Sequence, residues 1–420
     1  MLRPILGTAF ALTVLASLSV ACDDSDSGTA TPIADGGSMS DAGGDAGAHV
    51  LSFKPSLVAD ALEAAWRAGD LDGVTDYTID GTCGANPVAS LRNGEGSICG
   101  ATGTAKFLYI TQPGGVTAPT GRLPYTIDAP TGNAPPMLVV AVAKNIRVTS
   151  QVVARGGAAL VLVALDTLTI DGTIDVGGST DSNEIGAGST ARADATSTKA
   201  PGVGGGVNAA RDVLRSASGG SFCGVGGQSL ATGSNSAPAP YGTPELVPLV
   251  AGSDGGRGVG KGGLAGGAVA LIAGTSVTIN GTVTAPGGGA DRGDYGAGGT
   301  PGLGGGSGGA ILLEAPTVTI TGAVAANGGG GSDPGTLAGA RGTNGRTKTT
   351  AAGVGGPGSG GTDIDGANGG TTTIGATSLN GGGGGGAGRI RVNAATRNVT
   401  GEVSPALTTT CGTAGALAAW

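Results

Sequence analysis

Five segments of the chain repeat one pattern of apolar and polar positions. Residues 137–157 read MLVVAVAKNIRVTSQVVARGG and residues 159–179 read ALVLVALDTLTIDGTIDVGGS; segments 268–288, 309–329 and 388–407 align with them without gaps. Each holds three short runs in which side chains alternate, and in 159–179 these are 160–164, 168–170 and 174–176, broken by Asp166-Thr167 and Asp171-Gly172. Runs rich in Val, Ile and Thr with turn residues between them predict strands. In the middle run Leu168 and Ile170 face one way and Thr169 the other. Ile146 and Val148, Val277 and Ile279, and Val318 and Ile320 hold the same places, while the last segment has Arg397 and Val399. A terminal unit that no neighbour covers tolerates such a charge.

One such unit cannot offset the backbone entropy of ordering itself, so the units must stack. Their serial order, and the lack of tight two-residue hairpin turns, predict an all-β fold: a parallel β-helix, or solenoid, with long glycine-rich insertions. The alternative is an antiparallel β-sandwich with a polyglycine-type layer. With Val161 and Val163 on the core face beside Ile311, Leu313, Ile390 and Val392, the opposite face carries Leu160, Leu162, Val269, Leu271 and Leu312. That face is apolar until Arg389 and Arg391 in the last unit, so something is expected to cover it.

The insertions, 177–267, 287–308 and 328–387, are the expected cover. Glycine loses more entropy on ordering than any other residue. It also lets backbones lie in contact, and an extended, hydrogen-bonded layer is expected, anchored by Leu246, Val247, Leu249 and Val250. Ahead of the repeats, Leu57, Val58, Ala61, Leu62, Ala65 and Trp66 predict a helix within 56–69 that caps the open end. Strands are expected at 77–82 and 107–111.

Glycine supplies 90 of the 420 residues, proline 21 and histidine one, His49; aromatic residues are 3% and the net charge is -8. A histidine-based metal site, a Ser-His-Asp triad and an aromatic base-stacking surface all lack their residues. The acidic balance argues against nucleic acid as a partner.

Residues 1–21 read as a signal peptide: Arg3, an apolar run over 5–20, then small residues. Ser19-Val20-Ala21-Cys22 resembles a bacterial lipobox, with Leu18 one place earlier than that family prefers, and the resemblance implies lipidation of Cys22. The other reading is an ordinary cleavage site. Residues 22–49, rich in Asp and Gly, form a solvated tether, followed by a capping region at 50–136, the repeat body at 137–407 and a tail at 408–420. Five cysteines become four if lipid takes Cys22. Four suit two disulfides in an exported protein, with Cys83–Cys99 and Cys223–Cys411 the preferred pairing of three.

The lipobox, the tether and the strand units with glycine-rich inserts ending in GGAGRIRV resemble glycine-rich exported bacterial lipoproteins. This implies an envelope location, on the outer membrane or cell surface, with the inner membrane as the alternative because Asp23 resembles a retention signal. The units also resemble right-handed β-helix proteins, which include pectate lyases, polygalacturonases and surface adhesins; fold alone does not carry activity. The expected function is a lipid-anchored structural or adhesive surface module, not an enzyme, whose partners are the membrane and an extracellular polysaccharide or another surface protein. The alternatives are a polysaccharide lyase or glycoside hydrolase, or a calcium- or glycan-binding module.

A solenoid polysaccharidase needs carboxylates displayed together on neighbouring coils. Asp166, Asp171 and Asp175 lie on one unit, and their equivalents are Thr275, Asn280 and Thr284, then Thr317, Thr321 and Ala325. No catalytic residue and no cofactor is therefore expected. Asp363 and Asp365 are weak calcium candidates outside the register of calcium-binding repeats. The stretch GGRGVGKG at 255–262 approaches a phosphate loop, but Gly262 stands where Ser or Thr must be.

Overall fold

The runs of Val, Ile, Leu and Thr form strands where the repeats place them. The structure, a computed structural model, describes residues 49–81, 98, 100–111, 115–117, 137–178, 186–189, 198–210, 215–228, 236–258, 260–291, 301–334, 338–339, 349–351, 353–374 and 377–420. The leader, Cys22, Asp23, most of the tether and the Cys83–Cys99 pair lie outside these residues.

The fold is all-β, with one helix, Ala59–Arg67, among the described residues. Each repeat gives one strand to each of three sheets. Middle strands Asn145–Val148, Thr167–Ile170, Ser276–Ile279, Thr317–Ile320 and Thr396–Val399 lie parallel in that order, extended by Asp76–Ile79 and then Ala101–Thr102. Third strands Gln151–Val153, Thr173–Asp175, Thr282–Thr284, Ala323–Ala325 and Glu402–Ser404 form a second parallel sheet. First strands Met137–Ala143, Ala158–Ala164, Ala268–Ala273, Ala310–Glu314 and Arg389–Asn393 form the third, with Gly412–Gly415 added in parallel at one end and Lys106–Thr111 antiparallel at the other. The antiparallel sandwich is thereby excluded. The expected tail supplies a strand of its own.

The three sheets share one apolar interior. Leu162, Leu168 and Ile174 from one unit meet Leu271, Val277 and Val283 from the next, all buried. Here the expected parity of the first strands is corrected for the second and third units: Leu160, Leu162, Val269 and Leu271 face inward, and Val161, Val163, Ala270 and Ile272 outward. Ile311, Leu313, Ile390 and Val392 face inward and Leu312 outward, as expected. The cause is one residue at a corner. Ile272 pairs with Glu314 but Ser276 with Thr317, so the corner of the third unit is one residue longer than that of the fourth. A one-residue slip turns every side chain of a strand over.

The outward face is covered partly as expected, by apolar residues of the first insertion that include Leu246 and Leu249, and partly by the helix, which was not expected there. Ala61, Leu62 and Ala65 of the helix lie in one apolar cluster with Leu51, Phe53, Val161, Val163 and Ile272. The helix therefore lies against a sheet face and is not an end cap. Phe222, Leu246 and Leu249 complete the cover, Val250 packs against it, and Val247 is exposed.

The glycine insertions form a bundle of extended segments joined by backbone hydrogen bonds. Along 381–388 the donors cycle through three neighbours. Gly381, Gly384 and Ala387 donate to Gly370, Ala367 and Ile364; Gly382, Gly385 and Gly388 to Ser332, Gly329 and Ala326; Gly383 and Gly386 to Ala217 and Gly220. Its carbonyls serve three more: Gly305 and Gly308 donate to Gly383 and Gly386, Gly356 and Ser359 to Gly382 and Gly385, and Gly227 and Gly224 to Gly384 and Ala387. A period of three residues is that of an extended threefold helix, which has no internal hydrogen bonds and so offers every group to its neighbours. Segment 302–309 has the same surroundings. It donates to 380–386, 285–288 and 253–256, and accepts from 217–220, 329–332 and 263–266. Only glycine permits such spacing: a methyl built on Gly384 runs into the carbonyl of Pro357, and one on Gly305 into that of Gly329.

Candidate functional site

Parallel register turns single outward side chains into rows. Thr167, Ser276, Thr317 and Thr396 form one, and Thr169, Thr278, Thr319 and Asn398 a second, with neighbouring strands about 4.8 Å apart. Thr169, Thr278 and Thr319 are half-buried, and their β-branched side chains are stiff at χ1. The four residues of each of the strands Thr167–Ile170, Ser276–Ile279 and Thr317–Ile320 include no charged side chain.

Beside the rows, at the corner leading to the third strands, runs an open groove of about 570 Å³, floored by Gly281, Gly322 and Gly401 and walled by Asn280, Thr321 and Glu402. Its glycines are imposed by contact between neighbouring units, since a methyl on Gly322 meets the carbonyl of Gly281 and one on Gly401 meets that of Gly322. A ladder of side chains marks the corner. The Arg147 Nε–H donates to Asp171 Oδ2 at 2.8 Å, the Asn280 amide to Asp171 Oδ1 at 2.8 Å, and the Thr321 hydroxyl to Asn280 Oδ1 at 2.9 Å. The bonds from Asn280 and then Arg147 hold the Asp171 carboxyl below the usual carboxylate range.

Asp166, Asp171 and Asp175 do not come together. Asp175 is buried, takes the Gly177 N–H at 2.9 Å and lies 3.4 Å from Arg155 Nη1, and its neighbours in register are Thr284 and then Ala325. Asp365 accepts the Val225 N–H at 2.7 Å, and Asp363 pairs through its backbone with Gly360. Among the described residues no group of three or more His, Cys, Asp or Glu is placed to hold a metal ion. The phosphate-loop-like stretch belongs to the glycine bundle: the Gly255 N–H donates to Gly263 and the Gly256 N–H to Ser218, so these amides have partners. Cys223 and Cys411 are bonded, with Cα atoms 5.5 Å apart, and lie among Ala387 and Ile364.

Some polar ties have little or no sequence signal. Glu314 is buried and accepts the Ser56 N–H at 2.9 Å, the Ser56 hydroxyl, and the Asn393 amide at 2.9 Å. Ser56 thus secures the segment before the helix and does not cap it; Val58 stands at the N-cap and makes no side-chain bond. Alternation offered one hint: Glu314 is the only charged residue in the first strands of the first four units. Arg389 is buried in the cover, donating to the Tyr241 carbonyl from Nε at 3.2 Å and Nη2 at 2.9 Å, with its guanidinium 5.7 Å from the Phe222 ring. Burial lowers its pKa.

Comparison with protein-family models, with curated proteins and with solved structures finds no match to this chain. No described helix is long and apolar enough to cross a membrane.

Proposed function

We propose that the chain is an exported, lipid-anchored structural or adhesive module of the bacterial cell envelope, built as a right-handed parallel β-solenoid with a glycine bundle at its side. One observation carries this reading: in-register hydroxyl and amide side chains form straight rows beside an open polar groove. Such a face makes many weak, similar contacts, which suits a repeating polyhydroxylated partner or the surface of another envelope protein. The resemblance to glycine-rich bacterial lipoproteins supplies the location, through Cys22 and the tether.

The test is a glycan-array measurement on the body from residue 49 onward, with release of reducing ends followed on the same panel. Binding to a polysaccharide class without release supports the adhesive reading. Release of reducing ends or unsaturated fragments overturns it in favour of a β-helix lyase or hydrolase. Binding that appears only with added calcium favours the calcium- or glycan-binding alternative. Labelling with palmitate, lost in C22A, tests the anchor.

A further inference from the structure

The sequence holds one histidine, His49, and two tryptophans, Trp66 and Trp420. His49 opens the folded body and Trp420 stands at the end of the sequence, yet their rings stack with centroids 4.1 Å apart and planes 7° apart. The Trp420 indole N–H donates to the Leu51 carbonyl at 2.8 Å, and the Lys54 N–H donates to the Ala418 carbonyl at 2.9 Å. These two bonds tie the two ends of the body together.

The imidazole also meets the helix. His49 Nδ1 lies 3.4 Å from Glu63 Oε1 and is buried without a hydrogen bond. Glu63 accepts the Val50 N–H at 3.3 Å and the Arg67 Nε–H at 2.9 Å. Burial works to raise the Glu63 pKa, but Val50 and Arg67 outweigh it and hold the carboxyl below its ordinary range. Lys54 also faces this corner, its ammonium 5.9 Å from the Trp420 ring.

We propose that this contact is a pH-sensitive clasp, in which protonation of His49 locks residues 418–420 onto the start of the body. A neutral imidazole offers Trp420 stacking alone. The protonated ring adds attraction to the Glu63 carboxylate on one side and a cation–π contact with the indole on the other. Arg67 and Lys54 oppose the new charge, but Arg67 is already paired with Glu63 and Lys54 lies over the indole. Acidification therefore tightens the clasp and alkalinity loosens it. The inference rests on these contacts alone and not on the proposed adhesive role.

The test is hydrogen exchange of the Trp420 indole N–H in the full chain, followed by NMR, corrected for intrinsic exchange, and assigned with W66F. Between about pH 8 and about pH 5, where a histidine titrates, protection is expected to rise several-fold. It is expected to stay level in H49Q and to rise by less in E63Q. Equal protection at both pH values in the native chain overturns the clasp. So does an undiminished rise in H49Q, and an undiminished rise in E63Q removes the partner assigned to the charge. Far-UV circular dichroism of each variant, expected to match the native chain, separates these results from misfolding.

Discussion

Glycine 384 and glutamate 314 illustrate two ways in which one residue holds this protein together. If the glycines were ordinary flexible linkers, replacing one by alanine would reduce unfolded-state freedom and stabilise the chain by about 0.4–1 kcal/mol. In the bundle the added methyl of Gly384→Ala strikes the Pro357 carbonyl, so the sign reverses. G384A and G305A are each expected to lower stability by about 1–3 kcal/mol, measured by chemical denaturation. Glu314 acts through its partners. Glu314→Ala strands the Ser56 N–H and the Asn393 amide. It is expected to cost about 1–3 kcal/mol for each group left unsatisfied, which the same denaturation experiment checks. Asp171 brings a pH dependence. Its folded pKa is lowered, so its contribution is complete above the ordinary carboxylate value of about 3.9 and is lost as pH falls through the lowered value. N280A, which removes the first-named donor, should shrink that acid-side loss in a stability-versus-pH series.

At the scale of elements, apolar alternation made the strands legible because a strand shows its period within five or six residues. The helix was legible in extent but misplaced. Its apolar stripe says that it must pack, not against what, and the partner is a sheet face whose own apolar character came from the same alternation. Leu62 is fully buried in that contact, and L62A is expected to cost about 2–5 kcal/mol by thermal or chemical denaturation. The first-strand parity was not legible in the first three units, where both faces are apolar and nothing in the pattern distinguishes inside from outside, so the corner length decides it. The thiols of Cys223 and Cys411 are joined across 188 residues, and loop-closure entropy assigns this bridge up to about 5 kcal/mol. C223S/C411S should therefore lower the melting temperature without changing the strand content read by circular dichroism.

For the whole molecule, the repeats and the bundle form one hydrogen-bonded body. The segments that lead into the first strands, 263–267, 302–309 and 381–388, are also bundle members, so the sheets and the glycine region are covalently continuous as well as packed. Amide exchange of 302–308 and 381–388 is expected to be as slow as that of the Thr317–Ile320 strand, because opening one bundle segment breaks bonds to six others. The candidate groove was only partly legible. The outward Thr residues could be read from alternation, but the groove exists because Gly281, Gly322 and Gly401 fall at one corner in adjacent units.

The sequence by itself determined that five β-rich units would form and which residues of their middle strands would be buried, because a two-residue period is a local property of the chain. It also determined that the glycine tracts would suit close backbone approach, since absence of a side chain is local too. Tertiary structure decided the rest: which way the first strands turn, where the helix lies, how glycine segments from distant insertions surround one another, and that His49 meets Trp420. Each of these depends on which distant segments become neighbours, and a hydrogen bond or apolar contact between distant residues leaves no periodic trace in either of them.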